Sequence, residues 1–442
     1  MQKIYTICRM LFLIVIIGLF ISSYSLADSD ISSVKNIIEK ANIGDIDAQH
    51  NLGIMYYKGQ GVKQDYYKAF EWFTKAANQG NAKAQYNLGV MYYNGQGVRQ
   101  DYHKAVELYT NAANQGFAKA QNYLGAMYYD GQGVRQDYHK AFEWFTKAAN
   151  QGNANAQLDL GAMYIRGHAV RQDFHKAFEW FTKAANQGVA QAQFNLGLIY
   201  INGYGVRQDY HKAVEWYTKA ANQGFAIAQY NLGVMYYNGQ GVRQDYHKAV
   251  ELFIKAANQG DVKAQFNLAI MYCKGQGVKQ DYHKAVELFT KAANQGDADS
   301  QYNLGVMYYD GEGVRQDYHK AVELFTKAAN QGDAYAQFNL GAMYYKGQGV
   351  KQDYHKAFEW YTKAANQGLA EAQFNLGDMY SKGKGVRQDY HKAKDFFGKA
   401  CDNGLQKGCD QYRELNENSS DKPLDNEDSV KTPLIIDVPD KL

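Results

Sequence analysis

The chain has 442 residues, of which 46% are hydrophobic, and this is enough apolar material for a large folded body. Its formal net charge is only +3, because 48 lysines and arginines are balanced by 45 acids. So weak a charge over so long a chain argues against a nucleic-acid partner. Glycine is abundant, with 42 residues, whereas proline occurs 3 times, each time near the C-terminus. A proline-free body with regular glycines predicts short helices joined by tight turns.

Residues 1–27 have the features of a secretory signal peptide. Lys3 and Arg9 supply the positive start, residues 10–21 form an apolar run, and small residues stand at 25–27. The run is short for a membrane span, although a retained anchor is the alternative. We therefore expect cleavage after Ala27, and a mature protein in the periplasm or outside the cell without stable membrane insertion.

One pattern recurs every 36 residues through ten units, from Gly44 to about Asn403. It is marked by the motif Asn87-Leu88-Gly89, whose asparagine varies in some copies. The first residues of this motif are Asn51, Asn87, Tyr123, Asp159, Asn195, Asn231, Asn267, Asn303, Asn339 and Asn375. A fixed period in this range is typical of a stacked solenoid.

Each unit is predicted to contain two helices. In the second unit, Asn81 can cap a first helix that runs to about Tyr93. Asp101 can cap a second helix that runs to about Asn114, and Gly116 follows its end. The apolar positions are Ala84, Leu88, Met91 and Tyr92 in the first helix and Ala105, Tyr109, Ala112 and Ala113 in the second. One hairpin cannot bury both stripes, so neighbouring units must complete the core.

The ends of a stacked array need caps. Residues 28–43 are predicted to form an N-terminal helical cap, and residues 404–415 a C-terminal cap helix. Residues 416–442 are acidic, polar and proline-containing, which predicts a disordered tail. The apolar segment 432–438 within the tail is either a docking motif or part of an inert tail.

The pattern of each unit resembles the Sel-1-like repeat. The residues that carry the resemblance are Ala84-Gln85-Tyr86-Asn87-Leu88-Gly89, Met91-Tyr92, Gly95, Gly97-Val98, Asp101, Lys104-Ala105 and Ala112-Ala113. This family is related to the tetratricopeptide repeat but has a longer loop between its two helices. The resemblance implies an all-α, right-handed superhelical solenoid with degenerate caps. It also implies an adaptor that assembles protein complexes, in bacteria often in the envelope or in host contact.

Two cysteines stand where the last unit meets the C-terminal cap. Cys401 and Cys409 resemble the pair of a cysteine-rich secreted branch of the family, in which such a spacing links a second helix to the next first helix. The resemblance implies a Cys401–Cys409 disulfide, which an exported protein can keep; two buried free thiols are the alternative. Cys273 replaces a tyrosine of most other units, and we expect it to be a free thiol.

Three positions of the first helix vary between units at helical spacing, at Tyr86, Val90 and Tyr93 in the second unit. Stacked units would align them into an aromatic and aliphatic groove that suits an extended peptide or a helix. Packing between units is the alternative for the Tyr86 position. The third position is the stronger candidate, because tyrosine tolerates partial exposure. The predicted partner-binding residues are Tyr93, Tyr129, Tyr237, Tyr309 and Tyr345, with the amides Asn87, Asn231 and Asn303 beside them.

Two charged rows follow the same period. Cations stand in the inter-helix loops from Arg99 to Arg387, and we interpret them as a solvated edge, with an acidic partner surface as the alternative. Histidines stand in the first turn of second helices from His103 to His391. Equivalent atoms of stacked helix pairs lie roughly 10 Å apart, which is too far for shared metal coordination. No metal site is expected.

No zinc motif of the His-Glu-x-x-His kind, phosphate loop or Gly-x-Ser-x-Gly motif is present in the sequence. We therefore expect no catalytic residues and no cofactor. The favoured function is an exported, monomeric scaffold that binds a protein or peptide along its concave face. Glycan or peptidoglycan binding through the tyrosine-rich face is one alternative. β-Lactam binding or hydrolysis, which has been linked to the cysteine-rich relatives, is another.

Overall fold

The computed structural model describes residues 34–418, and these contain helices α1 to α22 and no strand. Helix α1 covers residues 34–42, and α22 covers Gln406–Asn418. The first helices of the repeats are α2 (Ile46–Lys58), α4 (Ala82–Asn94), α6 (Ala118–Asp130), α8 (Ala154–Arg166), α10 (Ala190–Asn202), α12 (Ala226–Asn238), α14 (Val262–Lys274), α16 (Ala298–Asp310), α18 (Ala334–Lys346) and α20 (Ala370–Lys382). The second helices are α3 (Tyr66–Asn78), α5 (Tyr102–Asn114), α7 (Tyr138–Asn150), α9 (Phe174–Asn186), α11 (Tyr210–Asn222), α13 (Tyr246–Asn258), α15 (Tyr282–Asn294), α17 (Tyr318–Asn330), α19 (Tyr354–Asn366) and α21 (Tyr390–Asp402). The signal peptide, its cleavage after Ala27 and the tail segment 432–438 lie outside the described residues.

The helix ends follow from local chemistry. The Asn81 side chain accepts a hydrogen bond from the Ala84 amide at 2.8 Å and so caps α4, as expected from the sequence. The Asp101 side chain caps α5 in the same way through the Lys104 amide at 3.0 Å. Helix α4 ends at Asn94 and is followed by Gly95, whose φ of 69° is readily adopted only without a side chain.

The loop between the two helices approaches the previous repeat closely. Gly97 has a φ of 69°, and a Cβ atom added to it would overlap the backbone carbonyl of Tyr66. Both the backbone conformation and the close approach therefore require glycine here. Ala169 takes this position in the fourth repeat with a φ of 63°, and no other non-glycine residue in the described part of the chain has a positive φ.

A second glycine position brings the two helices of a repeat together. A Cβ atom added to Gly89 would lie 2.7 Å from the Tyr109 ring, so the ring lies directly against the α4 backbone. The lack of a side chain at this glycine therefore permits the close approach of the two helices. Ala269 holds the position in the repeat that begins with α14, where it is fully buried.

The chain divides into two compact units, with the boundary between Asp209 and Tyr210. Within each unit, the buried clusters combine the second helix of a repeat with the first helix of the next. In the first unit, Ala105, Tyr109 and Ala112 of α5 pack with Leu124 and the rest of the α6 stripe. A single hairpin therefore does not close its own core, as the sequence predicts.

A row of buried glutamines ties successive repeats together. Gln121 lies on α6; its Nε2 donates to the carbonyl oxygen of Ala113 at the end of α5, at 3.0 Å. Its Oε1 accepts a bond from Gln151, which follows α7, at 2.7 Å. Each glutamine thus satisfies a carbonyl at the end of the preceding helix. The sequence signal was a glutamine at this position in every unit: Gln49, Gln85, Gln121, Gln157, Gln193, Gln229, Gln265, Gln301, Gln337 and Gln373.

The C-terminal end of the array is fastened covalently. A disulfide joins Cys401 near the end of α21 to Cys409 in α22, which confirms the predicted pairing. Cys273 is a free thiol, as expected, and burial raises its pKa to about 11.

Candidate partner-binding surface

The predicted tyrosines form a row of half-buried side chains at the ends of first helices. In the first unit, the ring of Tyr93 lies edge-on to the ring of Tyr102 with centroids 5.2 Å apart. In the second unit, Tyr309 makes the same contact with Tyr318 at 5.1 Å. Each ring is therefore held by the second helix of its own repeat.

The hydroxyls of this tyrosine row are engaged by the following repeat. Tyr93 donates to the Gln132 side chain at 2.8 Å, and Tyr309 donates to Gln348 at 3.0 Å. Lys384 donates to the Tyr345 hydroxyl at 3.1 Å. The row thus connects successive repeats. Sequence reasoning missed this second role, because the paired residues are 39 positions apart.

The three predicted amides differ in their accessibility. Asn87 is half-buried and its Nδ2 lies 3.0 Å from His50 Nε2 on the preceding first helix. Asn231 and Asn303 each donate to a carbonyl of their own helix at 2.7 Å. Asn303 is only 7% exposed, so it offers little surface to a partner.

The first variable position belongs mainly to the core. The ring of Tyr86 is 5.9 Å from that of Tyr109, and the ring of Phe338 is 5.6 Å from that of Tyr361. Phe338 is buried as well. The structure therefore favours packing, which was the alternative raised for this position.

The Sel1 repeat model matches the chain in ten consecutive segments. They cover residues 46–81, 82–117, 118–153, 154–189, 190–225, 226–261, 262–297, 298–333, 334–369 and 370–405. The chain belongs to the Sel1 repeat family. Each segment begins at the first residue of a first helix, two residues after the start assumed from the sequence, and the fold is an all-α solenoid.

Two solved structures are similar over most of the chain. One is c5321 of Escherichia coli, described as a protective antigen present in uropathogenic strains and displaying an SLR fold. It is 37% identical, with 87% of this chain and 90% of that chain covered and a TM-score of 0.61. The other is a Sel1 repeat protein from Oxalobacter formigenes, which is 35% identical, with 74% and 93% covered and a TM-score of 0.54. No curated protein matches the chain.

The fourth Sel1 repeat departs from the others in its loop. Its sequence is Gly167-His168-Ala169-Val170, and the His168 ring stacks on Tyr138 with centroids 4.4 Å apart. His168 Nδ1 lies 3.0 Å from the Tyr129 hydroxyl, which also accepts a bond from Arg166 at 2.8 Å. Tyr129 is therefore the most constrained member of the tyrosine row in the first unit.

Two polar side chains on neighbouring first helices depart from the repeated pattern. Asp159 on α8 is half-buried; burial and then the charge of Asp130 raise its pKa to about 7, and Arg166 opposes this shift. Asn122 on α6 is 9% exposed, and its Oδ1 has no hydrogen-bond partner within residues 34–418.

Representative members of the two charged rows face the solvent. Arg99 and His103 are both exposed, and the neighbouring Lys104 lies over the Tyr92 ring at 5.2 Å. Within residues 34–418, no three His, Cys, Asp or Glu side chains converge in a way that could hold a metal ion. None of the helices of this range has the length and apolar character needed to cross a bilayer.

Proposed function

We propose that this Sel1 repeat protein is a scaffold, without catalytic activity, that binds a partner protein or peptide on the concave face of its first helices. Sel1 repeats are a protein-interaction fold. The observation that supports the proposal is the tyrosine row, whose half-buried side chains have their hydroxyls fixed by hydrogen bonds to the following repeat. Aromatic side chains held in one conformation make good anchors, because little conformational entropy is lost on binding.

We further propose that the mature protein is monomeric and acts in the periplasm or outside the cell. The disulfide between Cys401 and Cys409 supports this location, because such bonds persist in oxidising compartments. The similar E. coli protein is a protective antigen of uropathogenic strains, and by extension this chain functions in the envelope or in host contact.

The test is a cross-linked pull-down from envelope and host extracts, followed by affinity measurement with the captured partner. Replacing Tyr237, Tyr309 and Tyr345 with serine should abolish capture, because the anchoring rings are lost. The corresponding phenylalanine variant keeps the rings and should retain the partner. Unchanged affinity in a folded serine variant would falsify the proposal.

A matched control lies outside the tyrosine row. Tyr67 and Tyr390 are exposed at the starts of second helices, and their replacement with serine should leave binding unchanged. Capture of saccharide alone, in competition with free saccharide, would instead establish the glycan-binding alternative.

A further inference from the structure

The third Sel1 repeat reverses a pair of residues that most other repeats keep in one order. Their first helices carry an aromatic residue followed by asparagine, as in Tyr86-Asn87, Phe194-Asn195, Tyr230-Asn231, Phe266-Asn267, Tyr302-Asn303, Phe338-Asn339 and Phe374-Asn375. The third repeat has Asn122-Tyr123 instead. Successive side chains of a helix point about 100° apart, so the reversal moves the ring to another face of α6 and places the amide where the ring usually lies.

The reversal weakens the core. In other repeats the ring packs against a ring of the second helix of the same repeat, with centroids 5.9 Å apart for Tyr86 and Tyr109 and 5.8 Å apart for Tyr230 and Phe253. Asn122 brings an amide to this position; it is 9% exposed, and its Oδ1 has no hydrogen-bond partner within residues 34–418. A buried acceptor without a donor destabilises the fold. Departures from a fold's own pattern at such a cost are expected at functional sites.

Tyr123 presents the displaced ring on the exposed side of the first helices. It is 39% exposed, whereas asparagine or aspartate holds this position in every other repeat. Its ring centroid lies 5.4 Å from that of Tyr86 and 5.5 Å from that of Tyr109, and Tyr86 is itself 5.3 Å from Phe117. All three supporting rings belong to the preceding repeat. The ring is therefore both accessible and held in place, so a partner that contacts it loses little conformational entropy.

The side chains one turn before Tyr123 carry positive charge. Lys119 lies on the same face of α6, and Lys83 holds the equivalent position on α4. Both lysines are exposed, and neither forms an ion pair among the described residues. Lys83 is close enough to His50 on α2 to lower the pKa of that side chain, after the larger effect of burial. Neither helix has an acidic residue in its first turn, so a carboxylate here would meet two unpaired ammonium groups.

We propose that Tyr123 anchors an apolar side chain of the bound partner, and that Lys83 and Lys119 receive an acidic residue beside it. The apolar side chain covers the exposed ring, and the carboxylate lies towards the starts of α4 and α6. The opposite order would bring the carboxylate towards Asp159 on α8, which holds the position of Tyr123 in the next repeat. This inference rests on the proposed function and names a sequence feature of the partner, an acidic residue next to an apolar one.

The test selects peptides on the full chain. A displayed library of random peptides is bound to the wild-type chain after removal of all members that bind the double variant Asn122→Phe, Tyr123→Asn. This variant restores the usual order of the pair, and denaturant titration should show that it is more stable than the wild type. The selected peptides should carry an acidic residue beside an apolar one and bind the double variant at least about tenfold more weakly. An empty selection, or peptides without this pair, would overturn the proposal.

Single charge variants test the acidic half of the pair. Lys83→Gln and Lys119→Gln should each weaken binding of the selected peptides about threefold, and the loss should shrink at high salt because exposed charges are screened. Lys263→Gln is the matched control, because Lys263 is exposed at the equivalent position of α14. It should leave the affinity unchanged. Equal effects of all three substitutions would contradict the proposal.

The two proposals fail in different ways. If the serine variant of the tyrosine row loses the natural partner while the double variant binds it with unchanged affinity, the Tyr123 site is wrong and the scaffold function stands. If the double variant loses the natural partner but the tyrosine row is dispensable for it, the Tyr123 site stands and the tyrosine row is wrong.

Discussion

Ala169 shows how one residue can be tolerated in an unfavourable conformation. Its φ of 63° matches the glycines of the other loops, such as Gly133 at 67°. A left-handed conformation costs an L-residue roughly 1–2 kcal/mol. The fourth repeat accepts this cost, and the same loop carries His168 stacked on Tyr138.

We expect Ala169→Gly to raise the free energy of unfolding by about 1 kcal/mol, because relief of the strained φ outweighs the greater freedom of glycine in the unfolded chain. Denaturant titration measures this. The reverse change, Gly97→Ala, should destabilise the protein by more, since its Cβ would overlap the Tyr66 carbonyl. A destabilised Ala169→Gly variant would show that the methyl group is needed for packing.

Asp159 makes stability depend on pH. Burial and then Asp130 raise its pKa from an ordinary 3.8 to about 7. Between these values the unfolded chain releases the proton first, so the free energy of unfolding falls as pH rises and the loss is complete above pH 7. We expect Asp159→Asn to stabilise the protein by up to about 4 kcal/mol at pH 8 and to have little effect at pH 4. Denaturant titrations at the two pH values measure the difference. An equal change in the free energy of unfolding at pH 4 and pH 8 would contradict the raised pKa of Asp159.

At the scale of the element, the helix boundaries were predictable and the links between repeats were not. The 36-residue period, Asn81, Asp101 and the loop glycines predict α4 and α5 to within a residue, because capping and turn formation are local. The bond from Tyr93 to Gln132 depends on how one repeat stacks on the next, which the period does not reveal.

The disulfide should matter most for the last helix. Replacing Cys401 and Cys409 with serine removes the link between α21 and α22, and the loop-entropy model gives about 2–3 kcal/mol for so short a loop. We expect amide hydrogens of α22 to exchange faster in this variant while those of α12 to α16 are unchanged. Uniformly faster exchange would mean that the cap supports the whole array.

At the scale of the whole molecule, stability is distributed between neighbouring repeats. Each described core cluster draws on adjacent helices, so removal of one complete repeat should leave equivalent surfaces to pack. We expect deletion of residues 262–297 to give a folded, helical chain with a lower denaturation midpoint, measured by circular dichroism. Deletion of only α14 would place two second helices in sequence, and it should impair folding.

The glutamine row has a genetic consequence. Because Gln121 donates to the Ala113 carbonyl of the preceding repeat in the same way as Gln301 donates to that of Ala293, a junction between any two repeats carries the same bonding groups. Recombination between repeated coding segments can therefore add or remove whole units without creating a faulty joint. Natural variants should differ in the number of units far more readily than in unit length, and the reach of the binding surface would change in steps of one unit.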